Sequence, residues 1–280
     1  MNTEHTIPGI RELVHRARKG GQSVGLVPTM GALHSGHGAL IERARHENDF
    51  VVVTIFVNPI QFNMPEDFEK YPRVMDTDLQ YCEQLHVNAA FAPEAEEMYP
   101  EPLLTSVTVE KVSEKLCGEF RPGHFKGVAT VVAKLFNIIP ADRAYFGEKD
   151  FQQLALIRKM AADLNFAVEI VGVPTVREDD GLALSSRNLR LTAEHRKIAP
   201  VLYKALQAVA DRVAKGASPG DARQAGLDML ATAPEFRLEY LEIVDPRRMQ
   251  PVDKIASEVR IAAAAWLGNV RLIDNVRGGR

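Results

Sequence analysis

The sequence predicts an α/β fold in its first part, followed by a smaller α+β domain. Three observations carry this reading. Up to about residue 175, short apolar runs rich in β-branched residues alternate with stretches of helical spacing. Beyond residue 192, two helical stretches are followed by three strand-like runs. Between them lies 176–192 (VREDDGLALSSRNLRLT), dense in charge and small residues, where a domain boundary is expected. Strand–helix alternation argues a parallel sheet with right-handed crossovers, and helices followed by strands argue an α+β unit.

Residues 23–28 (SVGLVP) form a short apolar run closed by proline. Residues 37–47 have helical spacing, with Leu40, Ile41 and Ala44 on one face. Residues 50–57 (FVVVTIFV) are apolar on both faces, as in a strand covered on both sides. A polar, helix-compatible stretch covers 67–86, and short strands are expected at 88–92 and 105–110. A buried helix at 125–139, a strand at 144–146, an amphipathic helix at 150–164 and a strand at 168–173 continue the series. The second part reads as one long helix over 192–214, a second over 221–231, and strands at 236–244, 259–265 and 270–276. The expected architecture is a Rossmann-like parallel-sheet domain, residues 1–175, and an α+β domain, residues 176–280, with helices and a three-stranded antiparallel sheet.

Composition bounds the partners. The chain has 280 residues, 46% hydrophobic and 25% charged, which suits a folded domain and excludes a disordered or fibrous one. A formal net charge of -3 gives no large field for DNA or an anionic membrane. With Cys82 and Cys117 as its two cysteines, the chain is not a disulfide scaffold. The N-terminal stretch has charges throughout and no apolar core of signal-peptide length, and the apolar run at 50–57 is too short to span a bilayer. A cytoplasmic protein without nucleic-acid or membrane partners is expected.

Ligands of parallel α/β sheets bind beyond the carboxyl ends of strands, so the loops there carry the chemistry. Residues 28–37 (PTMGALHSGH) join the first expected strand to the first expected helix. Gly31 and Gly36 allow a ligand close to the backbone, and the helix start attracts phosphate. His34 and His37, three apart, would face one ligand, where imidazole can stabilise a phosphate oxygen gaining charge. A zinc site would need further ligands at suitable spacing. A P-loop would need lysine where His37 stands, and the Gly-x-Gly-x-x-Gly pattern is absent. Asn58 and Gln61 follow the 50–57 strand, and a turn amide is the competing reading for each. Lys149 and Gln153 lie at the start of the 150–164 helix, and Ser185, Ser186 and Arg187 offer hydroxyls and a guanidinium to polyphosphate oxygens.

Taken together, VPTMGALHSGH, IFVNPIQF, CGEFRPGHFKGVATVVAKLFNI, AYFGEKDFQQL, ALSSRN, YLEIVDP and RLIDNV resemble the pantothenate synthetase (pantoate–β-alanine ligase) family, in its order and over nearly the whole chain. The HxGH at 34–37 also resembles the wider nucleotidyltransferase group that includes class I aminoacyl-tRNA synthetases. The resemblance implies ATP-dependent joining of pantoate to β-alanine through a pantoyl adenylate, with magnesium accompanying ATP, and a homodimer. It implies that ATP is held by Met30, Gly31, Ala32, Leu33, His34, Ser35, Gly36 and His37, with His37 as donor or charge stabiliser assisted by His34. It further places Gly147, Glu148, Lys149 and Asp150 beside ATP, Lys149 on the phosphates, and Val176 at the adenine. Leu184, Ser185, Ser186 and Arg187 would close on the triphosphate. Gln61 and Gln153 would hold pantoate, and Gln61 would also border β-alanine; no residue is assigned to a metal. The chain departs from the family pattern at Leu184, where methionine is usual, and at Gly38, where a larger residue is common.

Overall fold

In the computed structural model, which describes residues 1–63 and 65–279, the first half is organised around a six-stranded, wholly parallel sheet. In chain order the elements are β1 (Asn2–Glu4), α1 (Ile7–Lys19), β2 (Val24–Thr29), α2 (Ser35–Glu47), β3 (Phe50–Ile55), α3 (Pro65–Glu69), α4 (Met75–Gln84), β4 (Ala89–Phe91) and α5 (Ala95–Met98). There follow α6 (Cys117–Phe120), α7 (His124–Ile138), β5 (Arg143–Gly147), α8 (Phe151–Asp163) and β6 (Glu169–Val173). The remaining elements are α9 (Ala193–Ile198), α10 (Val201–Ala214), α11 (Pro219–Leu230), β7 (Phe236–Val244), β8 (Val259–Leu267) and β9 (Val270–Gly278).

Two compact units result. One contains Met1–Val109, Arg121–Glu148 and Leu156–Pro174; the other contains Glu110–Phe120, Lys149–Ala155 and Thr175–Arg280. In the first, the strand order is β1-β4-β3-β2-β5-β6. From β2 the chain moves outward through β3 and β4, then returns to place β5 on the other side of β2. That reversal makes a crevice beyond the carboxyl ends of β2 and β5, the usual ligand position in such sheets. Val27, Val53 and Tyr145 of the sheet pack with Leu40, Ile41 and Ala44 of α2 in one buried cluster. β3 has Val51, Val52 and Val53 fully buried, as the unbroken apolar run requires.

In the second unit, β7, β8 and β9 form an antiparallel sheet. Ile261, Ala263, Ala265 and Leu267 of β8 share a core with Leu202, Leu206 and Val209 of α10. Alternation along β8 places these side chains on one face, and the alanines let the helices approach closely.

Four sequence expectations need correction. Residues 105–110 are not a strand: the Val107 N–H donates to Thr130 Oγ1 at 3.0 Å instead of joining a ladder. The expected helix at 67–86 is broken into α3 and α4, with Pro72 between them. The expected helix at 192–214 is likewise divided into α9 and α10 at Pro200, because proline lacks the N–H that would continue the hydrogen-bond ladder. Finally, β1 and α1 form in a stretch assigned no element; Thr6 caps α1 by accepting from the Gly9 N–H.

Candidate active site

The loop after β2 is built from the strand end outward. Thr29 Oγ1 donates to Thr54 O at 2.6 Å and accepts from the Gly31 N–H at 3.2 Å. Gly31 and Ala32 then take left-handed conformations, with φ of 79° and 51°. That turn aims two successive N–H groups at one carboxylate: Ala32 donates to Asp78 Oδ2 at 2.8 Å and Leu33 to Asp78 Oδ1 at 2.7 Å. Asp78, on α4, is buried. Burial pushes its carboxyl above the usual carboxylate range, while the two N–H donors pull the other way. A Cβ on Gly31 would lie 2.8 Å from Asp78 Oδ2, so glycine is required there for space as well as for φ.

His34 and His37 do not share a helical face, because the helix does not include both. His34 is the N-cap of α2, in extended conformation, and His37 is in its first turn. The Gly36 N–H donates to His34 Nδ1 at 3.1 Å, and the His34 N–H donates to His37 Nδ1 at 3.3 Å. This reciprocal cap places the ring centroids 4.2 Å apart. Since each Nδ1 accepts from a backbone N–H, each neutral ring carries its proton on Nε2, the tautomer able to donate to an anion. Gly38 has a packing role: a Cβ there would collide with the Tyr81 hydroxyl.

Gln61, in a short 3-10 turn after β3, is buried and meets Met30, with Nε2 2.8 Å from Met30 Sδ. The structure thus brings together two residues assigned to the site from separate segments. Gly127 of α7 packs against the same turn; a Cβ there would collide with Ile60 O and lie 2.6 Å from Gln61 Cα. Gly127→Ala is therefore expected to destabilise the protein by about 1–3 kcal/mol, measured by chemical denaturation, and to weaken activity with it.

In the second unit, Val176 and residues 184–187 are joined by a narrow turn. The Leu184 N–H donates to Val176 O at 3.0 Å, Arg177 and Ala183 form a bridge, and Gly181 closes the turn with φ of 93°. Ser185 caps a 3-10 turn over Ser186–Arg190 by accepting from the Arg187 N–H. Lys149, Ser185, Arg187, Asn188, Tyr203 and Asp274 line one cleft. Lys149 Nζ is 3.6 Å from Asp150 Oδ2, and its carbonyl accepts from Asn275 Nδ2 at 2.9 Å. Arg177 holds Asp274 through bonds of 2.6 and 2.9 Å and lies 3.9 Å from the centre of the Tyr203 ring. Burial pushes the Asp274 carboxyl up, opposed by Arg177 and by the charge of Lys149.

The capped histidine pair and its left-handed turn lie in the first unit, and Lys149 and Arg187 line a cleft of the second. A model of the Pantoate-beta-alanine ligase family matches residues 2–277. The chain belongs to that family. Its reaction is pantothenate formation.

The ligase is 50% identical to the pantothenate synthetase of Moorella thermoacetica over 277 residues, covering 99% of this chain and 98% of that one. It superposes on the crystal structure of pantothenate synthetase from Thermus thermophilus with a TM-score of 0.94 at 50% identity, covering 99% of both chains. It also resembles the pantoate-β-alanine ligase of Francisella tularensis complexed with β,γ ATP and β-alanine: TM-score 0.82, 35% identity, covering 99% of this chain and 97% of that one.

Within the ligase, Gly147 ends β5 and Glu148 opens the 3-10 turn that follows, both in the first unit, while Lys149, Asp150 and Gln153 belong to the second. Gln153 is half-buried on α8. Its neighbour Gln152 is structural, accepting from the Cys117 N–H and donating to Val112 O and Lys115 O. No local sequence pattern marks Asp78, Tyr99, Arg177, Asp274 or Asn275, whose partners lie far along the chain. Cys82 and Cys117 are buried free thiols, and burial pushes Cys82 up to about 12. Among the described residues no group of three or more His, Cys, Asp or Glu could hold a metal, and no helix is long and apolar enough to cross a membrane.

Proposed function

We propose that the ligase works through a pantoyl adenylate made from ATP in its first step. The pantoate carboxylate attacks the α-phosphorus, a P–O bond forms, and pyrophosphate leaves. The β-alanine amine then attacks the acyl carbon, an amide bond forms, the amine loses a proton, and AMP leaves. A carboxylate is a poor acyl donor, and adenylation supplies the leaving group. Attack at phosphorus needs positioning and charge stabilisation more than a covalent enzyme group.

The observation carrying this reading is the reciprocal cap of His34 and His37 beyond the carboxyl end of β2. It orients two Nε2 donors without using them in the cap. His37, assisted by His34, stabilises the charge that develops on the α-phosphate. Residues 30–37 and 147–150 border ATP, with Lys149 on its phosphates and Val176 at the adenine. Leu184, Ser185, Ser186 and Arg187 close on the triphosphate. Gln61 and Gln153 hold pantoate, and Gln61 borders β-alanine. This division gives residues 1–175 the nucleotide- and pantoate-binding role and residues 176–280 that of a lid.

ATP enters as its magnesium complex. Among the described residues no group of three or more His, Cys, Asp or Glu could hold the ion, and magnesium brought with ATP would neutralise charge on its phosphates. A cytoplasmic homodimer completes the reading, on the family resemblance.

The test is isotope exchange between pyrophosphate and ATP. Exchange should require pantoate and proceed without β-alanine, and β-alanine should then release AMP and pantothenate. Exchange that does not depend on pantoate would overturn the reading.

A further inference from the structure

We propose that Tyr99 sets the polarity of the pantoate subsite: acting through Asn58, it holds the Gln61 amide so that N–H donors, and no acceptor, are offered to the substrate. This rests on the assignment of Gln61 to pantoate.

The orientation follows from one fixed point. Asn58, buried just beyond β3, has Nδ2 3.3 Å from Gly127 O. A backbone carbonyl only accepts, so that end of the Asn58 amide is the NH2. Oδ1 therefore faces the Tyr99 hydroxyl, which donates to it at 2.7 Å. Burial pushes the Tyr99 hydroxyl up, so it keeps the proton it donates. The other Asn58 N–H goes to Gln61 Oε1 at 3.0 Å. With Oε1 engaged, the Gln61 NH2 points the opposite way and lies 2.8 Å from Met30 Sδ. A thioether is a weak acceptor, so an oxygen with lone pairs would be a stronger partner for these N–H groups. Pantoate carries such oxygens in its carboxylate and hydroxyls; a molecule presenting an N–H at this position would find no acceptor.

The main chain of Gln61 is held separately. His124 Nδ1 donates to Gln61 O at 2.9 Å, and Gly127 packs against the turn. Tyr99 therefore governs the side-chain amide rather than the path of the turn. It is a positioning residue, and its removal should act on pantoate and not on ATP.

Steady-state kinetics of Tyr99→Phe test this. The KM for pantoate should rise about fivefold or more, the loss of one partly buried hydrogen bond, while the KM for ATP and kcat stay within about twofold. An unchanged KM for pantoate, or an equal rise in the KM for ATP, would overturn the proposal. Asn58→Asp provides a second variant should Tyr99→Phe disturb the packing of Tyr99 with Phe56. It puts an oxygen where Nδ2 meets Gly127 O and Gln61 Oε1, so it should raise the KM for pantoate at least as much. Gln61→Ala separates the two levels. If it leaves the KM for pantoate unchanged, the pantoate assignment itself fails. If it raises that KM while Tyr99→Phe does not, only the relay fails.

Discussion

Replacing His37 by alanine is expected to slow adenylate formation by about 100-fold or more, roughly 3 kcal/mol of transition-state stabilisation. The ring does two things that can be separated. Its Nδ1 accepts from the His34 N–H and completes the cap of α2. Its Nε2 carries the proton that can be offered to an oxygen gaining charge. Alanine removes both, and loss of the cap alone costs about 1 kcal/mol of stability. His37→Asn keeps an acceptor near the position of Nδ1 but has no group at Nε2. It should recover much of the stability and little of the rate. Single-turnover conversion of ATP and pantoate, followed beside denaturant unfolding, reads both quantities. Adenylation at the normal rate in His37→Ala would remove His37 from the mechanism.

The strands of the sheet were legible because burial on both faces leaves a compositional mark, as in Val51, Val52 and Val53. The phosphate-suited loop was legible because glycines and histidines stand directly after a buried strand, where ligands of parallel sheets bind. What stayed hidden depends on pairing across the chain. Asp78 meets Ala32 across 46 positions and Tyr99 meets Asn58 across 41, and neither separation leaves a periodic trace. Local pattern also misled. Residues 105–110 alternate like a strand, but the polar bond from Val107 goes to a threonine hydroxyl on α7. His34 and His37, three apart, would share a helical face only if both lay in the helix, whereas His34 stands outside it as the cap. In each case a specific polar partner outweighed the local periodicity.

Asp78→Ala is expected to remove roughly 3 kcal/mol of stability and to raise the KM for ATP, because it leaves the half-buried Ala32 and Leu33 N–H groups without their acceptor. Those groups hold the left-handed turn that delivers the chain to His34, so loosening them should spread from the fold to nucleotide binding. The pH dependence has a definite sign. Burial raises the Asp78 carboxyl above its unfolded value, so the native state binds this proton more readily than the unfolded state. The contribution of this group to stability is then fully present below the unfolded pKa and declines as pH rises through the folded one. On acidification from neutral pH, the wild-type protein should gain stability relative to Asp78→Ala, and the difference between them should widen. Paired denaturation curves at pH 7 and at about pH 5 test this. A difference that narrows on acidification would mean that the two N–H bonds outweigh burial, with the carboxylate held ionised by the turn it anchors.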